Sequence, residues 1–327
     1  MSAPSDAELR TGLERALVGA GLELAGAVER RPSSYRTSFP IEELRFEVTE
    51  RGEVRAGFKQ LEWDRLEPGA QLAKPRFLHD PEREPEVYRA LLPQAPAGPP
   101  EFFGSVLEAG RCWLFVEWVE GRELFQVGER ELWEEAARWL ARFHVAMAPE
   151  WERHRREARL LDHDAAFYRR WTERAREFAA DPKRIEWLAA RHERVVEALL
   201  AMPRTVVHGE FYASNVLVAS DFEHTSVGRK PDTRVAPVDW ELTAVGTGLS
   251  DLAALVSGWP EGDREAIAAA YAAESGVPSF SRRDLDLARL QAAIQWLGWA
   301  PPAWEPPEGQ RHDWLGEAVA LAEGLEL

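Results

Sequence analysis

The chain has 327 residues and a formal net charge of −16. This length is enough for one large domain or for two lobes with separate cores, and the acidity argues against nucleic-acid binding because phosphate backbones would be repelled. A polar N-terminus, the lack of any run of about 18 apolar residues and a single cysteine, Cys112, predict a cytoplasmic protein without signal peptide, membrane span or internal disulfide.

The first third of the chain is predicted to consist mainly of strands. Leucines at helical spacing predict a helix over residues 6–22. Five strands are predicted, over residues 26–31, 43–49, 54–58, 102–107 and 113–119. Apolar residues alternate with other residues in the second and third, which a hairpin turn at Gly52 joins. Between the third and fourth strands, a helix over residues 81–92 opens with acidic residues and is stopped by Pro93.

The rest of the chain is predicted to be helical around one β-rich island. Helical patterns cover residues 132–147, 165–180, 183–202, 249–257, 263–275, 282–299 and 312–324. The island, residues 205–239, contains a polar insert at 221–232 that predicts an exposed hairpin loop. Because strands, helices, island and helices follow one another without alternating βαβ units, we predict an α+β protein of two lobes, residues 1–119 and 120–327.

Two polar motifs follow short apolar runs in the island. They are His208-Gly209-Glu210, followed after four intervening residues by Asn215, and Asp239-Trp240-Glu241. We expect them to face one cleft, where Asn215 and Asp239 offer the hard oxygen ligands that Mg²⁺ prefers. Glu210 is suited to orient an acceptor hydroxyl and to take its proton. Phosphoryl transfer needs such a set because it depends on positioning and on charge neutralisation.

The pattern H-G-[D/E]-x4-N, followed some two dozen residues later by D-W-E, resembles the aminoglycoside phosphotransferase family, which is distantly similar to protein kinases. The resemblance implies a bilobal protein-kinase-like fold and a kinase that moves the γ-phosphoryl group of ATP or GTP to a hydroxyl of a small molecule with Mg²⁺. It makes Glu210 the catalytic base and Asn215 and Asp239 the metal ligands. Asp251 would support the catalytic loop, or be only an acid at a helix N-terminus. His208 could be a base, although a histidine that fixes the loop is the favoured interpretation.

The first third carries matching features. Lys59 ends an apolar strand in a chain with only four lysines, and the family lysine at this place holds the α- and β-phosphates and pairs with a glutamate on the next helix. Glu84 is the match for that glutamate, with Glu86 as the second choice. The segment 114–121 resembles the family hinge between lobes, where backbone groups of Glu117 and Val119 would bind adenine.

Two features depart from the family pattern. Glu210 stands where most members carry Asp and reaches about 1.5 Å further. Either the loop is set back so that Glu210 still reaches the hydroxyl, or the protein binds nucleotide with little turnover; we favour the first because the base is one of the smaller terms in this reaction. The turn at 32–38 lacks glycine, so its amides and hydroxyls, Ser34 among them, either hold phosphates or form an ordinary polar turn.

Other assignments stay open at the level of sequence. Glu241 is a third metal ligand or a salt-bridge partner, and four tryptophans line an acceptor pocket or belong to the core: Trp259, Trp296, Trp299 and Trp304. A zinc hydrolase is disfavoured because no close His or Cys cluster appears. The main alternative function is a nucleotide-binding regulatory protein without turnover. The identity of the acceptor and the oligomeric state cannot be read from the sequence.

Overall fold

A computed structural model of the protein describes residues 3–33, 38–108, 110–178, 180–220, 233–299, 301 and 312–327. The predicted polar insert at 221–232 therefore lies outside the described residues. None of the helices in the described ranges combines the length and the apolar content needed to cross a bilayer.

The N-terminal part is an antiparallel five-stranded sheet with one helix across it. In chain order its elements are α1 (Asp6–Gly19), β1 (Leu24–Pro32), β2 (Ile41–Val48), β3 (Gly52–Gln60), α2 (Pro68–Ala73), α3 (Arg83–Glu86), β4 (Phe102–Glu108) and β5 (Arg111–Glu117). The strand order is β1-β2-β3-β5-β4. The apolar stripe of α1, which includes Leu9, Leu13 and Leu17, covers the sheet face that carries Phe58 and Phe115, whose rings stack 5.1 Å apart.

The rest of the chain is mainly helical and holds two small sheets. Its elements are β6 (Arg122–Glu123), α4 (Arg130–Met147), α5 (Trp151–Glu157), β7 (Leu161–Asp162), α6 (Ala165–Phe178), α7 (Pro182–Ala201), β8 (Arg204–Val207), β9 (Val216–Ser220), β10 (Thr233–Pro237), β11 (Ala244–Thr247), α8 (Leu249–Leu255), α9 (Glu261–Ala272), α10 (Arg282–Leu297) and α11 (Trp314–Gly324). The strand orders of the two sheets are β10-β9-β6 and β7-β11-β8. Both sheets end beside the two motifs of the island.

The long predicted elements are present, with two local differences. The first helix ends at Gly19 rather than at residue 22, because the chain turns at Gly21, whose φ of +73° is readily adopted only by glycine. The predicted helix over 81–92 is α-helical only over Arg83–Glu86 and continues as a π-helical turn over Val87–Leu91. Such wide turns occur mostly at functional sites.

Candidate active site

A buried lysine joins the sheet to the helical part. Lys59, near the end of β3, is only 7% exposed, and its Nζ lies 3.0 Å from Glu84 Oε1 and 2.8 Å from Asp239 Oδ1. Burial would raise the pKa of Asp239, but the Lys59 ammonium outweighs it and the pKa is lowered. The structure thus brings together three predicted site residues, while Glu86, the second choice for the helix glutamate, pairs with Arg89 instead.

The two predicted metal ligands lie at the same end of a strand pair. Val216 of β9 pairs with Pro237 of β10, and the Val238 amide donates to the Asn215 carbonyl at 2.9 Å. Asn215 Nδ2 donates to the Glu210 carbonyl at 3.0 Å, so Asn215 Oδ1 is the end that can accept a cation. Asp239 has left-handed backbone angles, φ 66° and ψ 62°, which are uncommon outside glycine and recur at functional sites. An amide oxygen beside a carboxylate fits Mg²⁺.

The loop that carries Glu210 is held in place by one buried carboxylate. Asp251, near the start of α8, accepts hydrogen bonds from the backbone amides of His208 at 2.6 Å and Gly209 at 3.0 Å. Its Oδ2 also lies 3.1 Å from His144 Nε2, and His144 Nδ1 lies 2.8 Å from the Tyr271 hydroxyl. Asp251 is therefore more than a helix N-terminal acid. Sequence reasoning missed His144, because an isolated histidine in a helix gives no signal of a partner 107 residues away.

Both ring nitrogens of His208 have hydrogen-bond partners. Its Nε2 lies 3.0 Å from the Val238 carbonyl, and its Nδ1 accepts the Glu210 amide at 3.3 Å, which assigns the ring proton to Nε2. Burial lowers the pKa of His208, so the ring is neutral. This geometry matches the favoured interpretation of a histidine that fixes the loop.

The glycine of the loop motif is required by space and by backbone angle. Gly209 has φ +89°, and a Cβ added there would lie 2.2 Å from the Leu242 carbonyl oxygen. On the other side of the loop, Phe211 is fully buried and its ring lies parallel to that of Trp139, 6.0 Å away. The loop is thus held between α4 and the segment that carries the predicted metal motif, Asp239-Trp240-Glu241. Glu210 lies between Gly209 and Phe211, which are both fixed in place.

Glu210 sits in an electronegative environment. It is half-buried, and burial together with the neighbouring carboxylates of Glu241 and Asp239 raises its pKa to about 8, while Lys74 and Lys59 act in the opposite direction. A carboxyl group whose pKa lies near the working pH is suited to accept and release a proton.

Glu241 faces a second buried lysine. Its carboxylate forms an ion pair with Lys74, and both side chains are at most 8% exposed. The Glu241 backbone carbonyl accepts from Arg83 Nη1 at 2.7 Å. Of the two interpretations left open by the sequence, the structure shows the salt bridge. Lys74 was missed, although its rarity in an arginine-rich chain was a signal shared with Lys59.

A cavity of about 220 Å³ lies between the two parts of the chain. Its lining includes Lys59 and Asp239, which are in contact with each other, and Glu117, Trp118 and Val119. The amides of Glu117 and Trp118 already donate to the carbonyls of Glu101 and Arg55, at 2.8 and 3.0 Å. Ser34, the predicted phosphate contact, lies outside the described residues.

The end of the five-stranded sheet is fastened to β10 by one arginine. Arg234 forms a bidentate pair with the Glu117 carboxylate, at 2.5 and 2.7 Å. The same guanidinium donates to the carbonyls of Gly98 and Pro99, both at 2.9 Å. Such planar, two-pronged pairs fix orientation as well as distance.

A row of aromatic rings begins at Tyr212, in the loop that carries Glu210. The Tyr212 ring lies 5.5 Å from that of Trp296, which stacks on Trp314 at 5.4 Å, and all three side chains are half-buried. Trp299 stacks on Trp171 at 5.6 Å and lies beside Trp296. Two other predicted pocket residues do not join them: Trp259 lies edge-on to Trp133, and Trp304 lies outside the described residues.

The described part of the chain holds no group of three or more His, Cys, Asp or Glu residues that could enclose a metal ion by themselves. Mg²⁺ usually takes only one or two protein ligands, with phosphates and waters completing its shell. The pair of Asn215 and Asp239 fits that mode of binding.

The sequence profile described as the phosphotransferase enzyme family, APH, matches residues 70–292, more than half of the chain and all the motifs from Glu84 to Asp251. The chain belongs to this family. The match confirms the predicted family and the prediction of a phosphotransferase enzyme. A search of curated proteins finds no match.

Solved structures of similar fold cover almost the whole chain. An aminoglycoside 2'-phosphotransferase-IIIa in complex with GDP is 13% identical, with a TM-score of 0.56 and 99% of each chain covered. Macrolide 2'-phosphotransferase MphH from Brachybacterium faecium is 17% identical, with a TM-score of 0.56 over 95% of this chain and 97% of its own. Choline kinase LicA from Streptococcus pneumoniae is 15% identical, with a TM-score of 0.57 over 97% and 99%. These likenesses confirm the α+β, protein-kinase-like fold.

Proposed function

We propose that this phosphotransferase moves the γ-phosphoryl group of ATP or GTP to a hydroxyl of a small molecule with the help of Mg²⁺. The observation that carries the proposal is the buried contact of Lys59 with both Glu84 and Asp239, from three separate elements at one end of the cavity. A fixed ammonium beside a metal-binding carboxylate suits a polyphosphate and its cation.

The balance of charge supports a divalent cation. Four carboxylates meet around this end of the cavity: Glu84, Glu210, Asp239 and Glu241. Two lysines, Lys59 and Lys74, face them. When all are ionised, two negative charges remain, which a bound Mg²⁺ would neutralise before the nucleotide adds its own. Asn215 and Asp239 are the residues proposed to hold the ion.

Each proposed role follows from position. The acceptor oxygen forms a bond to the γ-phosphorus while the bond to the bridging oxygen breaks, which releases the nucleoside diphosphate. Glu210 takes the proton of the acceptor hydroxyl, Asp251 holds the loop that carries Glu210, and Lys59 contacts the phosphates. The nucleotide base is proposed to lie against the backbone of Glu117 and Val119. The similar structures include complexes with GDP and with AMP.

For the acceptor we propose a compound that carries an amine as well as a hydroxyl. Half-buried rings of Tyr212, Trp296 and Trp314 extend from the loop that carries Glu210. Burial, together with the Glu210 carboxylate, raises the pKa of Tyr212, so the rings adjoin the proposed base. Aromatic faces beside a carboxylate stabilise a cation. The similar structures are an aminoglycoside phosphotransferase, a macrolide phosphotransferase and a choline kinase. Aminoglycosides and choline, which two of these enzymes are named for, are cations.

The test is a screen of ATP and GTP against pooled hydroxyl compounds, read by a mass gain of one phosphate. Asp239→Ala should abolish turnover while circular dichroism shows the fold retained, because the metal loses its carboxylate. Substantial residual turnover in Asp239→Ala would remove that residue from the metal site. Nucleotide binding without turnover on any acceptor, unchanged by Glu210→Asp, would instead favour a regulatory protein.

A further inference from the structure

Lys74 is a buried lysine to which neither motif nor family pattern assigns a role. It follows α2 directly and is 4% exposed. A buried ammonium is costly unless it is paired, and a buried lysine beside a cleft is a candidate for a functional role. It forms an ion pair with Glu241, which stands two residues after the proposed metal ligand Asp239 in the sequence.

Lys74 contacts both the end of the segment 32–38 and the motif Asp239-Trp240-Glu241 through its neighbours. Its Nζ lies 5.4 Å from the centre of the Phe39 ring, and the Glu67 amide at the start of α2 donates to the Ser38 carbonyl at 3.0 Å. Ser38 is the last residue of the segment 32–38, which contains no glycine, and Phe39 follows it directly. Lys74 therefore lies between the end of that segment and Glu241.

Lys74 also lies close to the reacting end of the site. It acts electrostatically on both Glu210 and Asp239, the residues on either side of the proposed transfer. An ammonium carries three N–H donors, and Glu241 takes one of them.

We propose that Lys74 is a second phosphate-binding cation, which contacts the γ-phosphoryl end of the nucleotide opposite Lys59. The inference rests on the proposed function and assigns to it a residue outside the established motifs. The simpler alternative is that Lys74 only neutralises Glu241 and ties α2 to the metal motif. The two differ in one respect: a phosphate ligand favours a triphosphate over a diphosphate even when Glu241 carries no charge.

The experiment compares Glu241→Gln with the double variant Lys74→Met/Glu241→Gln. Both lack the ion pair, and the double variant replaces two buried charges with neutral side chains of similar length, an exchange that proteins often tolerate. Affinities for the triphosphate analogue AMP-PNP and for ADP are measured by calorimetry with Mg²⁺, and GMP-PNP and GDP replace them if wild type prefers guanine. Unfolding temperatures check that each variant folds.

The expected result is that Lys74→Met lowers the preference for triphosphate over diphosphate about tenfold in the Glu241→Gln background, as for loss of a charge-assisted hydrogen bond. An unchanged preference overturns the proposal, because only the neutralising role would then remain. If Lys74→Met/Glu241→Gln does not fold, Lys74→Gln in the same background gives the same comparison. Wild-type protein that binds none of these nucleotides refutes the proposed function itself, a separate outcome.

Discussion

Glu210 is the residue where function and stability oppose each other. In the folded chain its pKa is raised to about 8, whereas an unfolded glutamate titrates near its ordinary value. Between these two values the folded state binds more protons than the unfolded state, so this residue makes stability fall as pH rises through that window. The charge needed for proton transfer is therefore held at a cost to the fold.

Glu210→Gln should accordingly lower kcat about 10²- to 10⁴-fold. It should also raise the free energy of unfolding by about 1–4 kcal/mol at pH 8.5, because solvent screens part of the effect at this half-buried group, and by little at pH 4.5. Thermal unfolding at the two pH values without Mg²⁺ measures the difference. Glu152→Gln, which removes an exposed carboxyl group on α5, is the matched control. An equal gain at both pH values would contradict the assigned environment of Glu210.

Which residues meet in the site was predictable where the chain carries a motif. Lys59, Glu84, Asn215, Asp239 and Asp251 could all be placed, because each stands at a fixed position relative to a strand or helix that the pattern identifies. His144 and Lys74 were not placed, since their partners lie 107 and 167 residues away, and only the rarity of lysine in this chain pointed to Lys74. Buried polar contacts of this kind are decided by packing.

At the scale of elements, the sharp turn after β8 depends on Gly209. A side chain there would be strained by the positive φ and would meet the Leu242 carbonyl, so the loop or the metal motif must move.

Gly209→Ala should therefore lower the free energy of unfolding by about 2–4 kcal/mol and reduce kcat strongly. Gly21→Ala is the control, because Gly21 also has a positive φ, +73°, but a Cβ there meets nothing within 4 Å. Its expected cost is about 1 kcal/mol from backbone strain alone, with activity retained. Denaturant unfolding and kinetics measure both variants, and equal costs would show that the contact with Leu242 carries no weight.

Strands and helices with several turns of periodic pattern were predicted within a few residues, and shorter ones were not. The two-residue strands β6 and β7 are too short to show alternation, and β11 follows a helical turn that hides its start. Strand β7 also pairs in parallel with β11, 83 residues further along the chain, so only the assembled fold defines it. Short elements owe their conformation to neighbours rather than to propensity.

For the whole molecule, the cleft makes stability depend on ligands. The cavity is lined by both parts of the chain, and Lys59 and Asp239 reach across it. A nucleotide bound with its cation contacts only the folded arrangement, so it shifts the unfolding equilibrium by mass action.

Saturation at about 100 times Kd should raise the free energy of unfolding by about 2.7 kcal/mol and Tm by about 4 °C. Differential scanning fluorimetry with ATP or GTP and Mg²⁺ measures the shift, and EDTA should remove most of it. Asp239→Asn should lose the part of the shift that depends on metal. A shift of equal size with and without Mg²⁺ would argue against a metal-bridged nucleotide.

The fold class was predictable from the order of elements and from the family motifs, which together fix how the chain is arranged around the cleft. The division into lobes near residue 119 remains a prediction. How the two parts are held together was not predictable, because Arg234 and Glu117 are 117 residues apart and belong to no motif.

The Arg234–Glu117 pair affects how alanine substitutions of the cavity residues must be interpreted. Replacing Glu117 by alanine frees the guanidinium that also holds the carbonyls of Gly98 and Pro99, so the sheet can tilt against β10. The base would then meet a misaligned edge and bind less tightly. Glu117 would then be identified as a recognition residue, although its carboxylate binds Arg234 and the Glu101 amide of the protein itself. What the mutant had lost is the angle at which two halves of one molecule meet.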